Sequence, residues 1–135
     1  IKIYLLNRVP RNSNINIKLN YEYDMYLMAD SILLNWAFEN IIKNSLDATN
    51  YKNSIIEINF TKTNKLIIIH INDNGKGING KRWNKIFKPG YSTKKRGWGL
   101  GLSLSKRIIE DLHQGKLDVI SSKPGSTELR IEFKK

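Results

Sequence analysis

The fold is decided by two apolar segments that lead into a glycine-rich turn, SIIEINFTKTNKLIIIHINDNGKGI (residues 54–78). Apolar and polar residues alternate from Ser54 to Phe60, which predicts a half-buried β-strand. Leu66 to Ile71 is almost continuously apolar and rich in β-branched residues, which predicts a second strand. The polar residues between them predict a turn, so this segment supplies two strands of a sheet.

A long amphipathic helix is predicted before these strands. Asp30 and Ser31 are suitable N-cap residues, and the helical pattern continues to about Asn50. Its core-facing residues recur at helical spacing. They are Leu34, Phe38, Ile41, Ile42, Ser45 and Leu46. Further upstream, the alternation from Ile15 to Leu19 predicts another strand, and residues 1–14 are predicted to be a leading linker or strand.

A second helix and two closing strands are predicted after the turn. The helix runs from Gly99 to about His113, and Gly115 suits its C-terminal stop. Strands follow at Lys116–Ser121 and Glu128–Phe133. Strands interleaved with helices predict a two-layer α/β sandwich, with a mixed β-sheet covered on one face by helices. The 135 residues fit a single domain, which we expect over 15–135.

Composition limits the compartment and the partners. The chain has no Cys, which excludes disulfides and thiolate metal sites and favours a reducing compartment. No apolar run reaches the length of a membrane span, and no secretory signal is visible. We therefore expect a cytoplasmic domain; a parent protein anchored in the inner membrane, with this domain facing the cytoplasm, is left open. The net charge of +11 fits either a lysine-rich, soluble surface or an anionic partner such as nucleic acid.

A carboxylate stands where the second strand meets the glycine-rich turn. Asp73 is followed by Gly75 and Gly77, a composition that also suits a solvent-exposed turn. In a functional interpretation, Asp73 lies at the mouth of a pocket and the glycines let the backbone approach a flat ligand. An ionised carboxylate only accepts hydrogen bonds. It would therefore accept from the amine of adenine and repel the carbonyl of guanine.

Two phosphate-binding motifs overlap this turn, and both are excluded by the residues on their C-terminal side. Residues 75–80 fit the spacing of a dinucleotide-binding loop, but Pro89 and a basic stretch follow in place of a helix. Residues 75–81 nearly spell a P-loop, but Arg82 stands where Ser or Thr must bind magnesium.

A second glycine cluster opens the second helix. Gly97, Gly99 and Gly101 precede an apolar helix, and free N–H groups at a helix start attract phosphate. A flexible hinge is the alternative. The cations just before it, Lys94 and Arg96 among them, would screen a triphosphate, although a solvated basic run is also common.

Two asparagines share one face of the long helix. Asn40 and Asn44 are four residues apart, and Asn is a poor residue for a helix interior. An Asn carbonyl oxygen is a suitable ligand for Mg²⁺, which keeps most of its shell for water and phosphate oxygens. A solvated polar face is the alternative. Lys43 and Asp47 lie nearby.

Along the chain, the helix with the two asparagines comes first, the turn after Asp73 second and the second glycine cluster third. Motifs in this order resemble the ATP-binding domain of sensor histidine kinases, in the superfamily shared with DNA gyrase, mismatch-repair and heat-shock chaperone ATPases. The resemblance covers about residues 15 to 135. The matching segments are Glu39–Ser45 (N box), Asp73–Gly77 (first glycine box), Ile86–Lys94 (F box and lid), Gly97–Leu102 (second glycine box) and the closing pair Ser126-Thr127.

The resemblance implies a Bergerat-type fold that binds ATP and Mg²⁺. It implies Asn44 as the magnesium ligand, Asn40 beside it near the phosphates, and Asp73 on the adenine amine with support from Thr127 through water. Such transfer depends mainly on positioning and charge neutralisation. The other residues expected along the nucleotide are Lys43, Gly75, Gly77, Ile78, Lys94, Arg96, Gly97, Gly99, Leu100, Gly101 and Leu102.

Departures from the family pattern bear on the reaction. The superfamily's hydrolases place a water-activating Glu four residues before the magnesium Asn, where this chain has Asn40. Glu39 lies one position away, roughly 100° around the helix. This favours phosphoryl transfer over hydrolysis, and Glu39 would at most assist the acceptor histidine. Asp47 stands where many of these kinases carry Lys, and Ser126 replaces the usual Gly.

The phosphate acceptor is expected outside this chain. His70 lies in a strand pattern and His113 ends a helix, so both are interpreted as structural or surface histidines. The resemblance implies a dimerising helical phosphoacceptor domain of the same parent chain and a response regulator downstream. A related serine kinase or ATPase stays open. So does a basic nucleic-acid-binding module, which gives the glycine motifs no role and makes nucleic acid the less favoured partner.

Overall fold

A computed structural model describes residues 15–22, 24–50, 52–83, 85–89 and 101–135. Two predicted segments lie outside these ranges. One is the leading segment, 1–14. The other, 90–100, carries the basic run and most of the second glycine cluster.

Within the described ranges, the sheet has five strands and is mixed, as predicted. Along the sheet the order is β1-β2-β3-β5-β4. β1 is parallel to β2, and the β2–β3, β3–β5 and β4–β5 pairs are antiparallel. The strands are β1 (Ile15–Asn20), β2 (Ser54–Lys62), β3 (Leu66–Asp73), β4 (Lys116–Lys123) and β5 (Ser126–Lys134).

Helices follow β1 and precede β4. The long helix α1 spans Ser31–Ala48, and Asp30 caps it by accepting from the backbone N–H groups of its first turn at 3.0 and 3.1 Å. The second helix, α2 (Gly101–Arg107), continues as a π-helical turn, Ile108–Leu112. Two short 3₁₀ turns lie between β3 and the undescribed segment, at Gly80–Arg82 and Lys85–Phe87.

The hydrophobic core lies between one face of the sheet and the helices. Alternate residues of β3 and β5 are buried, and the residues between them are partly exposed. Burying one such Ile or Leu contributes about 1.5–3 kcal/mol. On the opposite face polar side chains pair with one another, as His70 does with Glu128 at 3.0 Å. This asymmetry confirms the predicted two-layer sandwich with helices on one face.

The end of the second helix differs from the prediction. The residue with positive φ is Gln114 (φ 52°), so Gly115 is not the left-handed stop that the sequence indicated. Gly115 is instead needed for a close approach, because a Cβ there would lie 2.4 Å from the carbonyl oxygen of Glu132. The backbone N–H of Gly115 donates to the carbonyl of Ile109 at 2.8 Å and closes the helix.

His113 ties the two helices together. Its Nε2 accepts from the backbone N–H of Asp30 at 3.0 Å, so its Nδ1 carries the proton and donates to the carbonyl of Ile108 at 2.7 Å. Both ring nitrogens are therefore used within the fold, which agrees with the interpretation of His113 as structural.

Among the helices of the described ranges, none is long and apolar enough to cross a lipid bilayer.

Candidate functional site

Asp73 is a buried strand residue. It is the last residue of β3, two positions beyond the predicted strand end, and only 6% of it is exposed. The alternative of a solvent-exposed turn is therefore wrong for Asp73. Its Oδ1 accepts from the backbone N–H of Gly75 at 2.9 Å, and the Ser45 hydroxyl of α1 also hydrogen-bonds to it.

Burial and hydrogen bonds act in opposite directions on the pKa of Asp73, and burial has the larger effect. Burial raises the pKa of the Asp73 carboxyl above the ordinary value of 3.8, and the hydrogen bonds from Gly75 and Ser45 offset part of that rise. An ionised carboxylate at this place costs free energy unless further donors reach it. A buried carboxyl with a perturbed pKa beside a glycine-rich turn is typical of a functional site.

Gly75 and Gly77 let the turn after β3 fit between two other elements. A Cβ on Gly75 would lie 2.7–2.8 Å from atoms of Ala48, whose carbonyl accepts from the N–H of Lys76 at 3.0 Å. Gly77 has φ +84°, and a Cβ there would lie 2.7 Å from the carbonyl of Lys123. Both glycines therefore serve contacts within the protein, and their predicted contact with a ligand stays a prediction.

Replacing Gly75 by alanine is expected to destabilise the domain by about 1–3 kcal/mol, because the new methyl group would overlap the backbone of α1. Gly80→Ala is the matched control, since a Cβ on Gly80 meets nothing within 4 Å. Urea unfolding of both variants measures the difference. Equal stability of the two variants would show that the contact between Gly75 and the end of α1 can accommodate a methyl group, and the prediction would be wrong.

Two hydroxyl groups, on β5 and β4, lie near Asp73. Thr127 of β5 is paired with Asp73 of β3 and is 5% exposed. Its Oγ1 lies 2.8 Å from Oγ of Ser122 on β4, and that oxygen accepts from the backbone N–H of Ile78 at 2.6 Å. The carbonyl of Ile78 accepts from the indole N–H of Trp83 at 3.0 Å. The predicted residues Thr127 and Ile78 are thus joined through Ser122.

Asn40 and Asn44 bind the backbone of their own helix through their amide nitrogens. Nδ2 of Asn44 donates to the carbonyl of Asn40 at 3.0 Å, and Nδ2 of Asn40 donates to that of Trp36 at 2.8 Å. In each amide, the carbonyl oxygen is then the atom suited to a cation. A Cβ on Gly101 would lie 3.0 Å from Oδ1 of Asn40, so the start of α2 lies directly against the asparagine face of α1.

Small residues set this approach of α1 and α2. Ser105 is fully buried, and its hydroxyl is within hydrogen-bonding distance of the carbonyls of Ala37 (3.2 Å) and Gly101 (2.7 Å). Ala37 is also fully buried. The packing places Gly101, predicted to flank phosphate, beside Asn40, predicted to lie near it.

Phe87, from the predicted F box, packs against the hydrophobic core next to α2. Nζ of Lys106 lies 4.5 Å from the centre of the Phe87 ring, a cation–π distance. The same ammonium group donates to the carbonyl of Leu117 at 2.7 Å and pairs with Glu110 at 3.2 Å. Lys106 therefore joins the segment before residues 90–100 to the helix after them.

The predicted site residues form two groups linked by α1. Ser45, which follows Asn44 in sequence, hydrogen-bonds to Asp73. Helix α1 therefore carries both the asparagines and a hydrogen-bond partner of the carboxyl group. Lys43 is exposed and Glu39 half-buried, and Leu102 packs against the core. Five predicted residues lie outside the described ranges: Lys94, Arg96, Gly97, Gly99 and Leu100.

Sequence reasoning missed the roles of Ser45 and Ser122. Ser45 was placed among the core-facing residues of α1 and at the end of the N box, but it was given no contact with Asp73. Its position in the core-facing stripe was the available signal, because a polar residue on an apolar face needs a partner. Ser122 carried no signal, since its contacts depend on the β4–β5 register.

Comparison with known proteins shows the family of this chain. The family described as "Histidine kinase-, DNA gyrase B-, and HSP90-like ATPase" matches residues 29–135. Sporulation kinase B of Bacillus subtilis (strain 168) is 32% identical over 120 residues. The match covers 89% of this chain but 28% of that protein, so the chain spans less than a third of the relative's length.

Solved structures show the same architecture. The nucleotide-free catalytic domain of histidine kinase ThkA superposes with a TM-score of 0.83 at 28% identity, covering 99% of this chain and 88% of that one. Histidine kinase ThkA in complex with response regulator protein TrrA gives a TM-score of 0.82 at 26% identity, covering 99% of this chain and 38% of that one.

Proposed function

Because the chain belongs to the family of histidine kinase-, DNA gyrase B- and HSP90-like ATPases, we propose that it is the catalytic domain of a sensor histidine kinase. In this role it binds ATP with Mg²⁺ and transfers the γ-phosphoryl group to a histidine on a helical phosphoacceptor domain of its parent chain. We propose that residues 15–135 form this domain and that it works in the cytoplasm.

The observation that carries this proposal is the buried carboxyl of Asp73 beside the buried hydroxyl of Thr127. The adenine amine would donate to the carboxylate and supply the hydrogen bond that the ionised form needs. Guanine has a carbonyl at the same position and would be repelled. The pair therefore supports an adenine site at this end of the sheet.

The asparagine face of α1 suits the metal-bound phosphates. Bound Mg²⁺ would neutralise phosphate charge during transfer. Asn44 would hold the ion through its carbonyl oxygen, because its amide nitrogen is bonded to the backbone. Asn40 would lie beside the phosphates and Gly101, with Lys43 on the exposed side of the helix.

The residues present favour transfer over hydrolysis. The hydrolases of this superfamily use a Glu that activates water close to the phosphates, as a general base. Asn40 occupies the helix position beside the start of α2, and an amide is no general base. Glu39 is one position away and faces another direction. We keep it as a residue that would assist the acceptor histidine.

An exposed apolar face supports docking of a helical acceptor domain. Ile32 and Trp36 of α1 are 80% and 39% exposed. They precede Asn40 at intervals of four residues, so the apolar strip leads towards the proposed phosphate site. ThkA, with the same fold, was solved with a response regulator, and we propose a response regulator as the downstream partner here.

Phosphoryl transfer tests this function directly. The chain is mixed with the purified acceptor domain of its parent and γ-labelled ATP, and an acid-labile phosphate should appear on a histidine of that domain. Asp73→Asn should label poorly in the same assay. An acid-stable phosphoserine, or phosphate release without labelling, would instead identify a serine kinase or an ATPase of the same family.

The net charge of +11 favours one other candidate function, that of a nucleic-acid-binding module. That function predicts tight binding that weakens steeply with salt and shows no preference among free nucleotides. It gives no role to the buried carboxyl of Asp73 or to Asn40 and Asn44, so ATP binding is the better-supported function.

A further inference from the structure

We propose that the domain docks on an anionic phospholipid bilayer through the end of the sheet that lies away from Asp73. This inference goes beyond the proposed function and does not depend on it. The surface combines exposed apolar side chains, a cavity and lysines, and we name it the distal surface. It consists of Tyr26, Met28, Lys62, Lys134 and Lys135.

The distal surface lies at the opposite end of the strands from the proposed nucleotide site. β3 runs from Leu66 to Asp73, and β5 runs the other way and ends at Lys134. Ile67, which borders the distal surface, lies about 20 Å from Asp73 along β3. A bilayer at the distal surface would therefore leave the nucleotide site uncovered.

A segment without regular secondary structure, between β1 and α1, crosses this end of the core. From Asp24 to Met28, exposed and partly buried residues alternate. Met25 and Leu27 pack against the hydrophobic core. Tyr26 and Met28 are 85% and 97% exposed. Two large apolar side chains so exposed on one short segment offer contact area to a partner.

A cavity of about 380 Å³ lies beside these side chains. Its apolar lining comes from Met25, Tyr26, Leu27, Met28 and the buried Ile67. The volume falls within the range of small-ligand sites, about 300–1,000 Å³. The cavity therefore suits part of an acyl chain, which a lipid supplies and an acidic protein surface does not.

Lysines surround the cavity. Lys62, Lys134 and Lys135 line it, and the one acid in its described lining is Asp24. Lys65 is exposed nearby, since its carbonyl accepts from the N–H of Lys135 at 2.9 Å. Each lysine close to an anionic bilayer strengthens binding about fivefold. The net charge of +11 attracts the whole chain to such a surface.

This combination fits a bilayer better than it fits an acidic protein or a nucleic acid. The lysines match lipid phosphates, and tyrosine is typical of the membrane interface. Met28 and the cavity match the apolar region just below the headgroups. A partner recognised by charge alone would leave the exposed apolar side chains and the cavity without a role.

Co-sedimentation with lipid vesicles tests the inference. The chain should bind vesicles made of equal parts phosphatidylglycerol and phosphatidylcholine, and it should bind pure phosphatidylcholine only weakly. Tyr26→Ser combined with Met28→Ser should weaken binding about tenfold, because less apolar area enters the bilayer. Lys134→Gln combined with Lys135→Gln should weaken it about twentyfold. All four side chains are exposed, so the fold should be unaffected.

Lys81→Gln combined with Lys85→Gln is the matched control, because it removes the same charge from exposed lysines in the 3₁₀ turns that follow the other end of β3. It should weaken binding only about twofold, since salt screens charges that do not contact the bilayer. Equal losses in the two lysine variants would show general attraction of a basic chain and overturn the inference. Normal binding of the serine variant would assign the surface to an acidic macromolecule and also overturn it, as would no binding by the unaltered chain. ATP titration of the same proteins tests the proposed function separately.

Discussion

Asp73→Asn is expected to weaken ATP binding on the order of a hundredfold, because it removes the charged acceptor for the adenine amine and replaces one acceptor position with an N–H₂ donor. The substitution preserves the shape of the side chain. An asparagine oxygen can still accept from the N–H of Gly75, which lies 2.9 Å from Oδ1 of Asp73. Isothermal titration with Mg·ATP measures the loss.

The same substitution is expected to stabilise the nucleotide-free fold at neutral pH. Burial raises the pKa of Asp73 in the folded state. Between the ordinary value of 3.8 and the raised value, the folded state binds more protons than the unfolded chain. The free energy of unfolding therefore falls as pH rises through this window, and it stays lower above the window. Asparagine carries no charge, so the variant does not lose the free energy that burying an ionised carboxylate costs.

Urea unfolding of both proteins across this pH range tests the effect on stability. The stability of the unaltered chain should fall relative to Asp73→Asn as the pH rises above 3.8, and ATP affinity should rise over the same window as the carboxylate forms. Asp111→Asn is the control at an exposed carboxylate. If Asp73→Asn binds ATP normally, the adenine assignment is wrong. If it is less stable at neutral pH, the burial argument is wrong.

Asn44→Ala is expected to weaken Mg·ATP binding by about tenfold or more while leaving magnesium-free ATP binding nearly unchanged. The substitution removes the carbonyl oxygen assigned to the metal and spares the contacts of Asp73. Alanine is the better helix former, so α1 should remain intact. Titrations with ATP in the presence of Mg²⁺ or of a chelator separate the magnesium-dependent part of the affinity from the magnesium-independent part.

Asn16→Ala on β1 is the matched control, because Asn16 is exposed on the far face of the sheet. Equal loss of affinity with and without Mg²⁺ in Asn44→Ala would assign Asn44 to the nucleotide itself. No loss in either condition would remove it from the site.

The local pattern of the sequence predicted the elements well and their ends less well. The apolar run of β3 ends at Ile71, but the strand continues to Asp73 because its backbone pairs with β5 up to Thr127. That pairing joins residues 54 positions apart in the chain. Periodicity within a segment contains no information on such a partner, so the burial of Asp73 could not be derived from it.

The two halves of the site were predicted as separate motifs, and packing brings them together. Helical spacing placed Asn40 and Asn44 on one face, and the second helix was predicted to start at Gly99, within the second glycine cluster. The contact between Asn40 and Gly101 depends on the close approach of α1 and α2, which the fully buried Ala37 and Ser105 allow. Such a helix pair is a tertiary property, and only the family resemblance implied it.

The purpose of the glycines was only partly predicted. A ligand-facing backbone was inferred for Gly75 and Gly77, whereas both meet other parts of the protein at distances that exclude a side chain. The turn after β3 is thus fixed against Ala48 and Lys123 before any ligand binds. Fixed backbone of this kind supports a preorganised site.

The central claim is that a buried carboxylate selects adenine opposite a helix that collects the magnesium-bound phosphates. Titration of the unaltered chain with ATP and with GTP, each with and without Mg²⁺, tests it most directly. The claim predicts saturable ATP binding that Mg²⁺ strengthens and GTP binding weaker by at least about a hundredfold. Equal affinities for ATP and GTP, with no effect of Mg²⁺, would contradict it.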